Sequence, residues 1–238
     1  MIMISIILLS LFAGLVTGLG AIISVFIKSP SQKILSLSLG FAAGIMIGIS
    51  TLSLIPESLE AGSFTICFLG ISFGAILLWL VDVLLPHIHK TETECDMYMK
   101  LGSFIAIGIA FHNLPEGIAI GASSQVSSGL GISMAFSIGL HNIAEGVSIA
   151  MPLCMGKMQK GRIVFITTLT GMATLCGAVI GLKLVSVSGI FISFSLAFAA
   201  GAMLYIVSDE LIPLSHKAHS HFANIGILSG IILALFIQ

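Results

Sequence analysis

The chain has 238 residues, of which 57% are hydrophobic and 8% are charged, and its formal net charge at pH 7 is −1. A water-soluble domain of this length cannot bury so much apolar surface, so the composition excludes a soluble globular protein and predicts an integral membrane protein whose partner is the lipid bilayer. The near-neutral net charge gives no reason to expect nucleic acid as a partner.

The apolar stretches predict an all-α fold with eight transmembrane helices of about 20 residues each, in a single transmembrane domain over residues 1–238. The predicted spans are 3–27, 34–56, 64–86, 101–122, 129–152, 163–185, 189–213 and 222–237. The first span lacks a basic leader and is longer than a signal-peptide core, so we expect it to be retained as a helix.

The basic residues predict the orientation of these spans. Loops after odd-numbered spans contain Lys28, Lys33, Lys90, Lys100, Lys157, Lys160, Arg162 and Lys217. The loops on the other side contain only Lys183. Because basic loops stay in the cytoplasm, we predict that both termini lie outside. Short loops and the lack of a targeting leader favour a plasma membrane, and the prokaryotic inner membrane in particular.

The two ends of the sequence resemble each other at an offset of 157 residues. Residues 41–44 (FAAG) align with 198–201 (FAAG), and Ile55-Pro56 aligns with Ile212-Pro213. Spans one and two therefore resemble spans six and seven, and a weaker similarity relates span three to span eight. The members of each related pair are five places apart in the order of the spans, an odd number, so the partners cross the membrane in opposite senses. This pattern predicts a 3+2+3 bundle with inverted repeats, which is typical of secondary transporters.

Two polar hexapeptides lie inside the apolar spans four and five, at residues 112–117 (HNLPEG) and 141–146 (HNIAEG). In each hexapeptide a histidine and a glutamate are four residues apart and so share a helix face. A charged side chain at the bilayer centre costs about 2.5–3.5 kcal/mol on insertion scales. Because the chain has such a carboxylate in both hexapeptides, we expect the two to act together, and binding of a cation is the natural reason. The candidate metal residues are His112, Asn113, Glu116, His141, Asn142 and Glu145.

The chemistry of these side chains limits which cation they suit. Imidazole, carboxylate and amide oxygen together favour a borderline divalent ion such as Zn²⁺, Fe²⁺ or Mn²⁺. Mg²⁺ is less suitable because its protein ligands are oxygen atoms. We expect a metal ion as a transported substrate and no permanently bound cofactor.

The two hexapeptides resemble the paired signature of the fourth and fifth helices in the ZIP family of divalent-metal transporters, and the likeness is closest to its compact prokaryotic ZupT-type branch. The eight spans, the outside termini and the end-to-end repeat are also similar, so the resemblance covers essentially the whole chain. It implies a central transport site lined by the six residues above. It also implies uptake of zinc into the cytoplasm, with iron, manganese or cadmium as further substrates.

The sequence departs from the resemblance at two positions. Members of this branch usually have a proline where this chain has Ala144, and they commonly have a glutamate in the sixth helix at the position of Thr174. A second metal site beside the first would lack that carboxylate. We therefore expect one central ion.

The polar residues outside the hexapeptides each allow two interpretations. The resemblance suggests that Asp209 and Glu210 lie on a path that releases the ion to the cytoplasm, near Asp82; the alternative is that such residues reach for the headgroups from helix ends. The His-containing segments 87–96 and 216–221 are either metal sensors or ordinary solvated loops.

The expected mechanism is alternating access around a midplane ion. A divalent-cation-selective channel or an exporter could use the same cage, and the sequence does not separate them; self-association into a homodimer is also open. A membrane metalloenzyme fits less well, because zinc proteases use H-E-x-x-H and the order here is H-N-x-x-E. We therefore expect no enzymatic activity.

Overall fold

The computed structural model describes residues 2–27, 31–84, 93–126, 128–183 and 189–237, and within these ranges all regular structure is helical. The α-helices are α1 (Ile2–Phe26), α2 (Gln32–Ile49), α3 (Ile55–Ala61), α4 (Phe64–Leu84), α5 (Glu94–Val126), α6 (Ser128–Met155), α7 (Lys160–Lys183), α8 (Gly189–Ile206) and α9 (Ile212–Ile237). Two π-helical turns, Ser50–Leu54 and Val207–Leu211, join α2 to α3 and α8 to α9.

The helices confirm the predicted all-α membrane class. Among the described residues, seven stretches of helix are long and apolar enough to span a bilayer. One of them, Gly189–Phe236, has 48 residues and would extend about 72 Å as a straight helix, more than twice the roughly 30 Å hydrocarbon core. Its backbone leaves helical geometry at His219, with φ −171° and ψ 106°.

Several helices continue beyond the predicted spans. The helix α5 begins at Glu94, seven residues before the predicted start of span four. Helical hydrogen bonds do not depend on apolar side chains, so a helix can continue into the polar interface where the hydropathy signal ends. Within the segment 87–96, His87 and His89 lie outside the described residues.

The outer faces of the helices are apolar, as a hydrocarbon solvent requires. Phe64 is 75% exposed and Trp79 is 50% exposed on α4, and Phe12 is 65% exposed on α1. The polar side chains of the two hexapeptides are instead buried. Polar groups in the protein interior and apolar groups against lipid are the distribution expected of a membrane protein.

The helix packing repeats at the offset found in the sequence. The helix α1 packs against α6 as α7 packs against α5, and α2 packs against α9 as α8 packs against α4. The two π-helical turns also begin 157 residues apart, and each is followed by a proline, Pro56 or Pro213. Proline has no N–H to bond the carbonyl four residues earlier, which accounts for the widened turn: Ile55 N donates to Ser50 O and Ile212 N donates to Val207 O.

The helices α1 and α7 cross at a pair of glycines that are themselves 157 residues apart. A Cβ added to Gly14 would collide with the carbonyl oxygen of Gly171, and a Cβ added to Gly171 would collide with that of Gly14. Only glycine permits this approach of the two backbones. The crossing fixes the distance between the helices that flank α5 and α6.

We predict that Gly171→Ala destabilises the protein by about 1–3 kcal/mol, because the added methyl must displace the α1 backbone. Gly161→Ala is the matched control, since a Cβ there meets nothing within 4 Å. Thermal unfolding midpoints in one detergent measure both variants. A midpoint for Gly171→Ala as high as that for Gly161→Ala would contradict the close crossing.

Candidate metal site

The structure brings together the two histidines and two glutamates of the hexapeptides. His112 and Glu116 come from α5, and His141 and Glu145 come from α6. All four side chains are at most 2% exposed. One nitrogen or oxygen atom of each lies within 4.8 Å of the corresponding atoms of the others. We call these four residues the cage.

Glu116 lies at the centre of the cage and contacts both histidines. Its Oε1 lies 2.9 Å from His112 Nε2 and 2.8 Å from His141 Nε2. His112 Nε2 also lies 3.2 Å from Glu145 Oε1. One carboxylate oxygen is thus shared by two imidazoles, and the second carboxylate approaches from the other helix.

Several buried polar atoms of the cage have no hydrogen-bond partner. They are Glu116 Oε2, both carboxylate oxygens of Glu145, Nδ1 of each histidine and Nε2 of His112. The close approaches of His112 Nε2 to the carboxylates therefore have ion-pair distances without hydrogen-bond geometry. Because buried polar atoms are normally bonded, such a concentration of unbonded acceptors indicates a site for a polar ligand.

The two asparagines attach the cage helices to their neighbours. Asn142 Nδ2 donates to the carbonyl oxygen of Ala13 on α1 at 2.9 Å, and Asn113 Nδ2 donates to that of Thr170 on α7 at 3.5 Å. The two acceptor residues are again 157 positions apart. Both asparagine Oδ1 atoms are buried without a partner. The amide nitrogens therefore position α5 and α6, and the amide oxygens are left for another donor or a cation.

Thr174 lies on the α7 backbone that packs against α5 immediately after Glu116. A Cβ on Gly117 would collide with the carbonyl oxygen of Thr174. The Thr174 side chain is fully buried and its Oγ1 has no partner. The position for which the resemblance led us to expect a further carboxylate thus offers one neutral oxygen.

A cavity of about 370 Å³ connects the cage to one side of the bundle. Glu116 and His141 line its inner end, and Glu57 and Glu60 line its mouth. The lining also includes three serines that the sequence analysis missed: Ser53, Ser133 and Ser137. The spacing of four residues that puts Ser133 and Ser137 on the His141 face of α6 could have revealed two of them.

The structure also brings Asp209 and Glu210 together with Asp82. One carboxylate oxygen of each lies within 4.8 Å of the others. Asp209 and Glu210 belong to the second π-helical turn, and Asp82 to the end of α4. These three acids form a second acidic group, whose members are distant in sequence from the cage residues. They lie near the predicted cytoplasmic ends of their helices.

The histidines of segment 216–221 do not form a comparable group among the described residues. His216 Nδ1 is 3.1 Å from the carbonyl oxygen of Ile212, and its Nε2 is 3.0 Å from Asn224 Oδ1. The His219 ring packs edge-on against Phe222, with 4.9 Å between ring centroids. These contacts favour a structural role for the segment.

Comparison with known proteins identifies one family. The family model described as ZIP Zinc transporter matches residues 2–103 and 87–238, and the second match contains both hexapeptides. The zinc transporter ZupT of Chlorobium luteolum is 35% identical, over 94% of this chain and 92% of that protein. The zinc transporter ZupT of Clostridium perfringens is 32% identical over 95% and 92%, and that of Salmonella newport is 37% identical over 94% and 91%.

We predict that Asn142→Ala lowers stability by about 1 kcal/mol, the net value of an ordinary buried hydrogen bond. Asn113→Ala should lower it less, because its 3.5 Å contact is at the long limit of a hydrogen bond. Thermal unfolding in metal-free detergent solution measures both. An equal or larger effect of Asn113→Ala would show that the asparagines do not anchor the helices in this way.

Proposed function

The chain belongs to the ZIP zinc transporter family, and from that premise we propose that it carries Zn²⁺ across the membrane into the cytoplasm by alternating access, with Fe²⁺, Mn²⁺ and Cd²⁺ as further substrates. The observation that carries the proposal is the cage: two imidazoles and two carboxylates from adjacent helices converge in the membrane interior. The family is one of transporters, so the membrane metalloenzyme is set aside.

The cage residues His112, Glu116, His141 and Glu145 are the proposed metal ligands. Two nitrogen and two oxygen donors form a set that Zn²⁺ accepts in four-coordinate geometry. The Oδ1 atoms of Asn113 and Asn142, which are buried without a partner, are the proposed further donors. A single ion is favoured, because Thr174 supplies a neutral hydroxyl where a second cation would need a negative charge.

We infer eight membrane crossings from the break inside the longest helical stretch. His219, where the backbone leaves helical geometry, is 157 residues after Gly62, which ends α3 with φ −147° and ψ −133°. The first half thus separates α3 from α4 at the position where the second half bends α9. Divided at His219, the stretch supplies the seventh and eighth crossings of one inverted-repeat domain. The distribution of basic residues then puts both termini outside.

Alternating access is supported by a difference between the two halves. Ile49, Ser137 and Ala234, which we call the open triad, line the cavity between the cage and Glu57. The cavity that they line would give an ion a route to the cage from that side.

The equivalent positions on the other side of the cage are packed together. They are Ile206, Gly108 and Leu78, related to the open triad by the offsets 157, 29 and 156, and we call them the closed triad. A Cβ added to Gly108 would collide with Ile206 Cδ1 and lie 3.1 Å from Leu78 Cδ1. The same three positions are therefore open in one half and shut in the other, and exchange of the two arrangements would move access across the membrane.

Beyond the closed triad, Asp82, Asp209 and Glu210 form the proposed release path. When the closed triad separates, an ion leaving the cage would meet three acidic side chains before the cytoplasm. Negative charge there favours transfer of a divalent cation out of the cage.

Replacing both cage glutamates, as Glu116→Ala with Glu145→Ala, should reduce zinc uptake into proteoliposomes to the level of empty liposomes, because two imidazoles alone leave the divalent charge uncompensated in the membrane. Glu94→Ala, which removes a carboxylate from the first turn of the same helix α5, should leave uptake unchanged. Radiolabelled zinc with competing Fe²⁺, Mn²⁺ and Cd²⁺ gives the rate and the metal ranking. Wild-type-like flux in the double variant would refute the metal site.

Cysteine labelling tests the two triads. In a background without the four native cysteines, Ile49→Cys should react with a water-soluble thiol reagent much faster than Ile206→Cys, because Ile49 lines the cavity and Ile206 is fully buried. Transported metal should slow the first reaction and speed the second. Equal rates that metal does not change would contradict alternating access, and the absence of counterflow and saturation would identify a channel.

A further inference from the structure

A groove on the side of the bundle is separate from the metal path. It has a volume of about 470 Å³ and lies between α2, α6 and α9, lined almost wholly by apolar atoms. Its walls include Leu37 and Phe41 of α2, Leu140 and Ala144 of α6, and Ser229 of α9. The Ser229 hydroxyl donates to Gly226 O on its own helix at 2.9 Å, so it does not call for a polar occupant.

Three positions that line the groove have aromatic residues as their equivalents in the other half. The positions equivalent to Leu37, Leu140 and Ser229 hold Phe194, Phe111 and Phe73. The Phe73 ring packs against those of Phe194 and Phe198, with centroids 6.0 and 6.2 Å apart. Smaller side chains therefore line the groove at three positions where the other half has phenylalanine.

The mouth of the groove is continuous with the lipid-facing surface. Leu37, Leu140 and Leu233 line it and are 36%, 40% and 39% exposed. An unfilled apolar crevice forfeits dispersion contacts on every wall, so in a bilayer the neighbouring hydrocarbon chains will occupy it. From Leu37 to Ile45 the α2 wall rises about 12 Å, a length suited to a segment of one acyl chain within a hydrocarbon core of roughly 30 Å.

A positive charge lies at the end of the groove. Lys33 is four residues before Leu37, on the same face of α2 and about 6 Å further along its axis. Its side chain is exposed, with Nζ 5.7 Å from the centre of the Phe222 ring. An ammonium at the end of an apolar groove complements the phosphate of a lipid whose tail lies in that groove.

We propose that the groove holds one bilayer phospholipid, with an acyl chain between α2, α6 and α9 and its phosphate beside Lys33. The α6 wall includes Ile143 and Ala144, which lie in the sequence between Asn142 and Glu145. The lipid therefore contacts the helix that carries half of the cage. Uptake should then depend on the acyl chain of the surrounding lipid, although lipid retention itself requires no metal transport.

Lipid retention by the purified full chain tests the proposal. After exchange into detergent, native mass spectrometry should find one phospholipid fewer on the double variant Leu140→Phe/Ser229→Phe, which introduces the rings of the other half, than on the wild type. The matched control, Leu8→Phe/Ile23→Phe, enlarges two lipid-facing side chains of α1 outside the groove, which are 58% and 53% exposed. Lys33→Gln should weaken retention. Equal retention by the wild type and the groove variant would overturn the proposal, and unchanged retention by Lys33→Gln would overturn the placement of the phosphate.

A fluorescence experiment avoids filling the groove. The chain has one tryptophan, so Trp79→Phe provides a background for Leu140→Trp at the groove mouth or Leu8→Trp on the exposed face of α1. A phospholipid brominated on its acyl chains, added at a few molecules per protein in detergent, should quench the first tryptophan and leave the second bright. Equal quenching would overturn the proposal. Quenching at Leu140→Trp that disappears at high protein concentration would overturn it in favour of a second copy of the chain.

Discussion

The burial of two carboxylates in the membrane interior is the constraint on which the structure depends. Glu116 and Glu145 are each 1% exposed, in a region where a charge without a partner is destabilising. His112 and His141 supply the nearest compensation, at 2.8–3.2 Å. The neighbouring helices must hold these four side chains together, and the glycine crossings and the two asparagine bonds do so at the level of the backbone.

Near-equivalence of the two halves is the structural basis of the proposed alternating access. Related helices make related contacts, and both halves place a π-helical turn and a proline at the same position. The two halves nevertheless differ in packing, since the open triad lines a cavity where the closed triad is compact. Two packings of equivalent positions are what the proposed carrier mechanism requires, because each half would adopt the arrangement of the other.

The two halves differ in side-chain chemistry at a few equivalent positions. The acids Asp209 and Glu210 have Leu52 and Ser53 as their equivalents, and the aromatic Phe73 has Ser229. The shared packing does not require these differences, so they indicate separate tasks on the two sides: a proposed release path in one half and a proposed lipid groove in the other. Thr174 likewise places a neutral hydroxyl, and not a third carboxylate, on the helix that packs against α5 after Glu116.

The sequence alone determined the membrane class, the internal offset of 157 and the composition of the cage. These follow from composition and local periodicity: apolar stretches must face lipid, and residues four apart must share a helix face. The sequence did not locate the serine-lined cavity, because two of its serines lie on α6 and Ser53 on a π-helical turn distant in the chain. Nor could it show which of two equivalent triads is open, since equivalent sequences permit both packings. Only the tertiary structure decided which triad is open, because this depends on the packing of whole helices and not on the conformational preference of single residues.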